Sequence, residues 1–218
     1  MKQEFWIEKW QKKQTGFHKD FIHPLLQKFV STLELNKGDE IFVPLCGKSL
    51  DMIWLHEQGY KVIGVEISQL AVEQFFSENS LNFKVSTYKS FNVYTYKNIT
   101  IYQGDFFKLN ASVTKTCHAI YDRAALIALP EEMVDSYVQK ITEIMHQNTY
   151  ELLITLEFNK AVGPAGPPFS TTDEKVNQLF NKSTSTTLLY EEDIIERESK
   201  FAEMGCEYLM ERVYLIEM

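Results

Sequence analysis

IFVPLCGKSLDMIWL, residues 41–55, is the most informative stretch in the chain. An apolar run, Ile41 to Val43, passes through Pro44 to Gly47 into a segment that carries Leu50, Ile53, Trp54 and Leu55 at helical spacing. Gly59 then stops it, so residues 49–58 are expected as a helix. A strand that turns straight into a helix is the opening unit of an alternating α/β sheet. Gly47-Lys48-Ser49 looks like the end of a phosphate-cradling loop. That loop also needs a glycine five residues earlier, so its backbone N–H groups can wrap the phosphates, and Phe42 stands there. The turn is therefore read as one wall of a ligand crevice of another kind.

Working outward, short apolar runs repeat: Glu40 to Val43, Lys61 to Val65, Ile99 to Tyr102, His118 to Tyr121 and Glu151 to Leu156. Near-continuous apolar character suits strands covered on both faces of a parallel sheet. Between them, Ser68 is the expected N-cap of a helix over 69–78 with Leu70, Val72, Phe75 and Phe76 as its apolar stripe. Pro130 opens another helix that runs to about His146. Two stretches break the alternation. FKVSTYKSFNVYTY, within 83–97, alternates and is rich in aromatics, which predicts an inserted hairpin. AVGPAGPPFS, residues 161–170, has too much Pro and Gly for regular structure and is expected as a functional loop. Farther on, EEDIIERESKFAEMG (191–205) is expected as a helix, and CEYLM and RVYLIEM as two strands of an antiparallel edge.

Composition narrows the function. The chain has 218 residues, 44% of them hydrophobic, which is enough for one folded domain over 1–218. A net charge of -8 with scattered lysines speaks against a nucleic-acid groove. Three cysteines, Cys46, Cys117 and Cys206, are too few and too far apart for a disulfide framework or a zinc site. His18 and His23 lack a third ligand nearby, so no metal is expected. No apolar leader or membrane-length run occurs, so the expectation is a cytoplasmic, membrane-free protein, and a monomer by default.

Ligands of such sheets bind outside the carboxyl ends of the strands. Glu66, at the end of GVEIS and 19 residues past Gly47, stands where a carboxylate accepts hydrogen bonds from both ribose hydroxyls of an adenosine. Asp105, one strand later, is positioned to receive the adenine amine, with Phe106 against the ring. An adenosine without a triphosphate cradle points to S-adenosylmethionine, which needs no magnesium.

The motifs FVPLCGKSLDMIWL, GVEISQLAVEQFF, YDRAALIALP, LLITLEFN, AGPPFS and ERVYLIEM, in this order over nearly the whole chain, resemble the thiopurine S-methyltransferase family in its bacterial form. The resemblance implies a class I S-adenosylmethionine-dependent methyltransferase fold, Rossmann-like, with a seven-stranded, mostly parallel sheet and helices on both faces. It implies methyl transfer to thiopurines or other aromatic or heterocyclic thiols, release of S-adenosylhomocysteine, and a role in detoxification. Residues 1–30 would form a lid over the cofactor, with Trp6, Trp10 and Phe17 capping it; Phe17 would also face the acceptor. Leu45 would meet the methionine part beside Gly47, and Glu66, Asp105 and Phe106 the adenosine. Arg123 would touch cofactor and acceptor and carry catalysis, held by Asp122, while Phe158, Pro167 and Phe169 would line the acceptor side. A second basic residue is expected at Arg197 or Lys200. Phe158-Asn159 stands where the family often has a Tyr-Asp pair. Two alternatives stay open: methylation of selenium or tellurium species, and a non-catalytic protein that binds an adenosine ligand.

Overall fold

The computed structural model describes residues 3–159, 163 and 165–218. The chain divides into two compact units, Met1–Tyr121 and Asp122–Met218.

The first unit opens with α1 (Gln3–Gln11) and α2 (Pro24–Phe29), then alternates through β1 (Glu40–Val43), α3 (Asp51–Glu57), β2 (Lys61–Glu66) and α4 (Gln69–Glu78). A hairpin of β3 (Lys84–Tyr88) and β4 (Phe91–Tyr96) follows, then β5 (Ile99–Gln103) and β6 (Cys117–Arg123), whose last two residues belong to the second unit. The strand order is β3-β4-β5-β2-β1-β6. Parallel pairing holds β5 to β2, β2 to β1 and β1 to β6; β3 and β4 join antiparallel at the β5 side. Ile41, Phe42, Val62, Val65, Ile99 and Ile101 are all fully buried, as their apolar runs require. Ser68 caps α4, its hydroxyl accepting from the Ala71 N–H at 3.3 Å, and Val72, Phe75 and Phe76 are buried below it.

The second unit carries α5 (Glu131–Ile144), β7 (Tyr150–Phe158), α6 (Asp173–Leu179), β8 (Ser185–Asp193), α7 (Ser199–Glu203) and β9 (Leu209–Glu217). Its strands order β7-β9-β8, both pairs antiparallel. Residues 161, 162 and 164 of the expected loop, and residues 1 and 2 of the expected lid, lie outside the described residues.

Three expectations change. Nine strands are described where seven were expected, because β3 and β4 extend the sheet rather than lie beside it, and the strand pattern is mixed rather than mostly parallel. The helix expected over 191–205 shrinks to Ser199–Glu203, since residues 191–193 finish β8, where Glu191 meets Arg212 of β9 at 2.5 Å. A cross-strand ion pair favours the extended form, which local helix propensity cannot register. The two strands expected at CEYLM and RVYLIEM are replaced by one, β9, which starts at Leu209, takes only Leu209 and Met210 from the first stretch, and runs between β7 and β8.

Candidate cofactor and acceptor sites

The turn after β1 is shaped by packing against β2. The Cys46 N–H donates to the Val65 carbonyl at 3.0 Å, and the thiol lies over Gly64, where an added Cβ would stand 2.8 Å from Sγ. Burial, then the neighbouring Glu66, pushes the Cys46 thiol well above its ordinary pKa, so it is a packing group and not a nucleophile. Gly64→Ala is expected to cost about 1–3 kcal/mol by overpacking, lowering Tm by several degrees, roughly 2–4 °C per kcal/mol. Thermal unfolding of Gly64→Ala, Cys46→Ala and the double variant tests it: the double must recover part of the loss, and simple additivity would refute the contact.

Leu45 in this turn adopts φ +45° and Gly47 φ +53°. A branched side chain in the left-handed region is strained, and such strain concentrates where a turn must present its backbone to a ligand. Gly47 donates its N–H to Glu66 Oε2 at 2.9 Å, and Ser68 donates its N–H to Oε1 at 2.7 Å. Glu66 is only 5% exposed, and burial lifts its pKa to about 7 against the pull of these N–H donors. Trp10 of α1 closes over the same turn, its ring 3.1 Å from where a Gly47 Cβ would sit. Phe17 meets Trp10 and Trp6 edge-on, with ring centroids 5.4 and 5.5 Å away.

Beside Glu66, β5 ends in register, Glu66 opposite Gln103, and the Gly104 N–H donates to the Glu66 carbonyl at 2.8 Å. Asp105 follows and caps the next turn, accepting from the Phe107 N–H at 3.0 Å. Phe106, expected against adenine, instead stacks on Phe42 in the core and is 3% exposed; its neighbour Phe107 is 36% exposed. The first unit thus brings together Trp6, Trp10, Phe17, Leu45, Gly47, Glu66 and Asp105, and withdraws the ring of Phe106. Lys48 pairs with Glu78 at 2.7 Å, which engages the lysine that the phosphate reading would have used.

In the second unit, β6 ends in Asp122-Arg123 and turns through Ala124 at φ +58°, a second strained non-glycine position. Asp122 is fully buried: its carboxylate accepts from the Tyr137 hydroxyl at 2.6 Å and the Leu126 N–H at 3.1 Å. Asp122 is turned inward, where its two oxygens engage the Tyr137 hydroxyl and the Leu126 N–H. Burial lifts Asp122 to about 6, and the Tyr137 hydroxyl with the Leu126 and Ala125 N–H groups pulls the other way.

The 165–170 loop is tied to this turn. The Phe169 N–H donates to the Ile127 carbonyl at 2.7 Å, and the Ser170 hydroxyl bonds both the N–H and the carbonyl of Phe158 at 2.9 Å. Gly166 adopts φ +112°, and any Cβ there would collide with the Phe169 ring at 2.3 Å. Phe169 is thereby tied to the turn that follows Arg123. Phe158, expected at the acceptor, is 2% exposed and packs with Ile194, Cys206 and Leu209, because β7 continues through it. Arg197 pairs with the exposed Glu192. Tyr137 and Glu151 escaped the sequence reading; the available signals were a tyrosine hydroxyl on an apolar helix stripe and an acid inside an apolar strand.

No group of three potential metal ligands occurs among the described residues, and no described helix is long and apolar enough to cross a membrane.

A profile of the family described as Thiopurine S-methyltransferase (TPMT) matches residues 1–218. A thiopurine S-methyltransferase of Shewanella pealeana is 42% identical over 214 residues, 98% of this chain and 97% of that one. One of Pseudomonas aeruginosa PAO1 is 42% identical over 217 residues, 100% of this chain and 99% of that one. Among solved structures, an S-adenosylmethionine-dependent methyltransferase of Anabaena variabilis superimposes with TM-score 0.65 at 16% identity, covering 99% of this chain and 94% of that one. The Burkholderia thailandensis 1,6-didemethyltoxoflavin N1-methyltransferase, holding S-adenosylhomocysteine, gives TM-score 0.64 at 10% identity over 99% of this chain and 87% of that one. At such identities the likeness shows the fold alone, and that fold is the class I methyltransferase fold.

Proposed function

This chain belongs to the thiopurine S-methyltransferase family, and from that premise we propose that it methylates aromatic or heterocyclic thiols, thiopurines among them. It is an S-adenosylmethionine-dependent S-methyltransferase. The observation that carries the cofactor side is Glu66: a buried carboxylate at a strand end, beside a glycine turn, is the group that two ribose hydroxyls need. The cofactor, when bound, supplies an electrophilic methyl on a sulfonium.

The chain's own contribution is alignment, charge and exclusion of water. Trp10, with Trp6 and Phe17, covers the Gly47 turn from α1 and serves as the lid. Leu45 and Asp105 flank the methionine and adenine ends. Arg123 offers a positive charge that favours the thiolate form of the acceptor and orients it for in-line attack, so no strong general base is needed. Pro167 and Phe169, held by the Ile127 and Phe158 backbone bonds, keep water from that side. To the same reading belong a cytoplasmic, monomeric, detoxifying enzyme that uses no metal; the net charge of -8 supports the absence of nucleic-acid partners.

The test is transfer from labelled S-adenosylmethionine to 6-mercaptopurine, thiophenols, selenite and tellurite, with ATP hydrolysis as control. Preferred turnover of a thiol is expected. Preferred methylation of selenite or tellurite would move the function to metalloid handling, and cofactor binding without any transfer would leave a binding protein.

A further inference from the structure

Below the Arg123 turn, three titratable side chains are shut away together in the second unit: Asp122 of β6, Tyr137 of α5 and Glu151 of β7, all fully buried. They are not equivalent. Asp122 is bonded on both oxygens, by the Tyr137 hydroxyl at 2.6 Å and the Leu126 N–H at 3.1 Å. Neither carboxyl oxygen of Glu151 has a hydrogen-bond partner among the described residues. Two buried carboxyls that act on each other's charge do not both ionise, and the one with donors keeps the charge. Burial, and next the Asp122 charge, pushes Glu151 well above the carboxylate range, so Glu151 is the neutral acid of the pair.

The Asp122 anion has a mechanical role. Its Oδ1 accepts the Leu126 N–H across the strained Ala124, closing the turn by which β6 leaves Arg123 at its end. That turn also supplies the Ile127 carbonyl on which Phe169 hangs at 2.7 Å. If Asp122 gains a proton, the Tyr137 hydroxyl loses its charged acceptor and the cap weakens.

We propose that Tyr137 is a positioning residue for methyl transfer: it donates to the Asp122 anion, and this anion fixes the turn that presents Arg123 and seats Phe169. The proposal rests on Arg123 being the cation on the acceptor side. The titratable groups that face the Asp122 carboxyl in this unit are Tyr137 from α5 and Glu151 from β7; the 3-10 turn Leu126–Ala128 adds only apolar side chains and N–H donors.

The experiment is the pH profile of kcat at saturating cofactor, with an electron-poor thiophenol whose thiol is ionised throughout the range. Wild type is expected to lose turnover as pH falls through about 6, where Asp122 takes up a proton. Tyr137→Phe removes a hydrogen bond to a charge, so its acid limb is expected about one to two pH units higher, with cofactor Kd unchanged. Glu151→Gln copies the neutral acid and is expected to leave the limb in place. An unmoved limb in Tyr137→Phe, or a displaced one in Glu151→Gln, overturns the proposal. Should Tyr137→Phe not fold, Asp122→Asn decides: a slow rate flat across this range supports it, and a wild-type limb refutes it. Arg123→Ala runs alongside. If its turnover equals wild type, the acceptor-side reading fails; if it is slow while the limbs do not move, only the Tyr137 inference fails.

Discussion

Arg123→Ala is expected to lower kcat by a factor of about 100, the scale of loss when a reacting group is no longer held in line, while cofactor Kd changes only a few-fold. The arginine closes β6 at the carboxyl end of its strand, and the turn after it passes through Ala124 at φ +58°, a conformation that most residues avoid. The buried Asp122 cap and the Phe169 N–H to Ile127 bond hold that turn from within and from the loop side. On the proposed reading the guanidinium orients the thiolate for in-line attack, and Glu66 is assigned to the adenosine end of the cofactor. Arg123→Lys keeps the charge without the planar fork and is expected to fall between wild type and Ala. Initial rates with a thiophenol, together with calorimetric Kd for S-adenosylhomocysteine, check both numbers. Equal losses in rate and affinity would make Arg123 a cofactor ligand and nothing more.

The residues that made the fold legible were those whose signal is local. The strand runs from Glu40 and Lys61 end within a residue of where they were expected, and α4 begins after Ser68 as its cap and apolar stripe predict. Glu66 was legible for the same reason, a lone acid that ends an apolar run. What failed depended on partners distant in sequence. Residues 191–193 look helical until Arg212 is placed opposite them, and Phe158 looks like loop until β9 extends β7 through it. Asp122 is the instructive case. Beside an arginine it reads as that arginine's partner, and nothing local announces that its carboxylate accepts from the Tyr137 hydroxyl, fifteen residues on. Phe106 and Phe107 pose the same choice, since nothing local says which ring of the pair turns to the core.

Glu66→Gln is expected to weaken cofactor binding by about a hundredfold and to abolish its pH dependence. A carboxylate that accepts from two ribose hydroxyls makes charge-assisted bonds of about 1.5–3 kcal/mol each, and glutamine keeps one acceptor, loses the charge and turns an amide toward a donor. In wild type the pKa of about 7 makes ionisation itself part of the equilibrium. The ionised fraction falls from about nine-tenths at pH 8 to about one-tenth at pH 6, so Kd for S-adenosylhomocysteine should rise about tenfold across that interval. The sign of the stability effect is opposite. An acid whose folded pKa exceeds its unfolded value binds more protons when folded, so the free protein loses stability as pH rises from about 4.5 towards 7. Affinity and free-protein stability should therefore move in opposite directions between pH 6 and 7, a pairing that general acid unfolding does not produce. Calorimetric titrations of wild type and Glu66→Gln from pH 6 to 8, with Tm followed in the same buffers, separate the cases. A glutamine variant that keeps the wild-type slope would assign the titration to another group and remove Glu66 from the ribose.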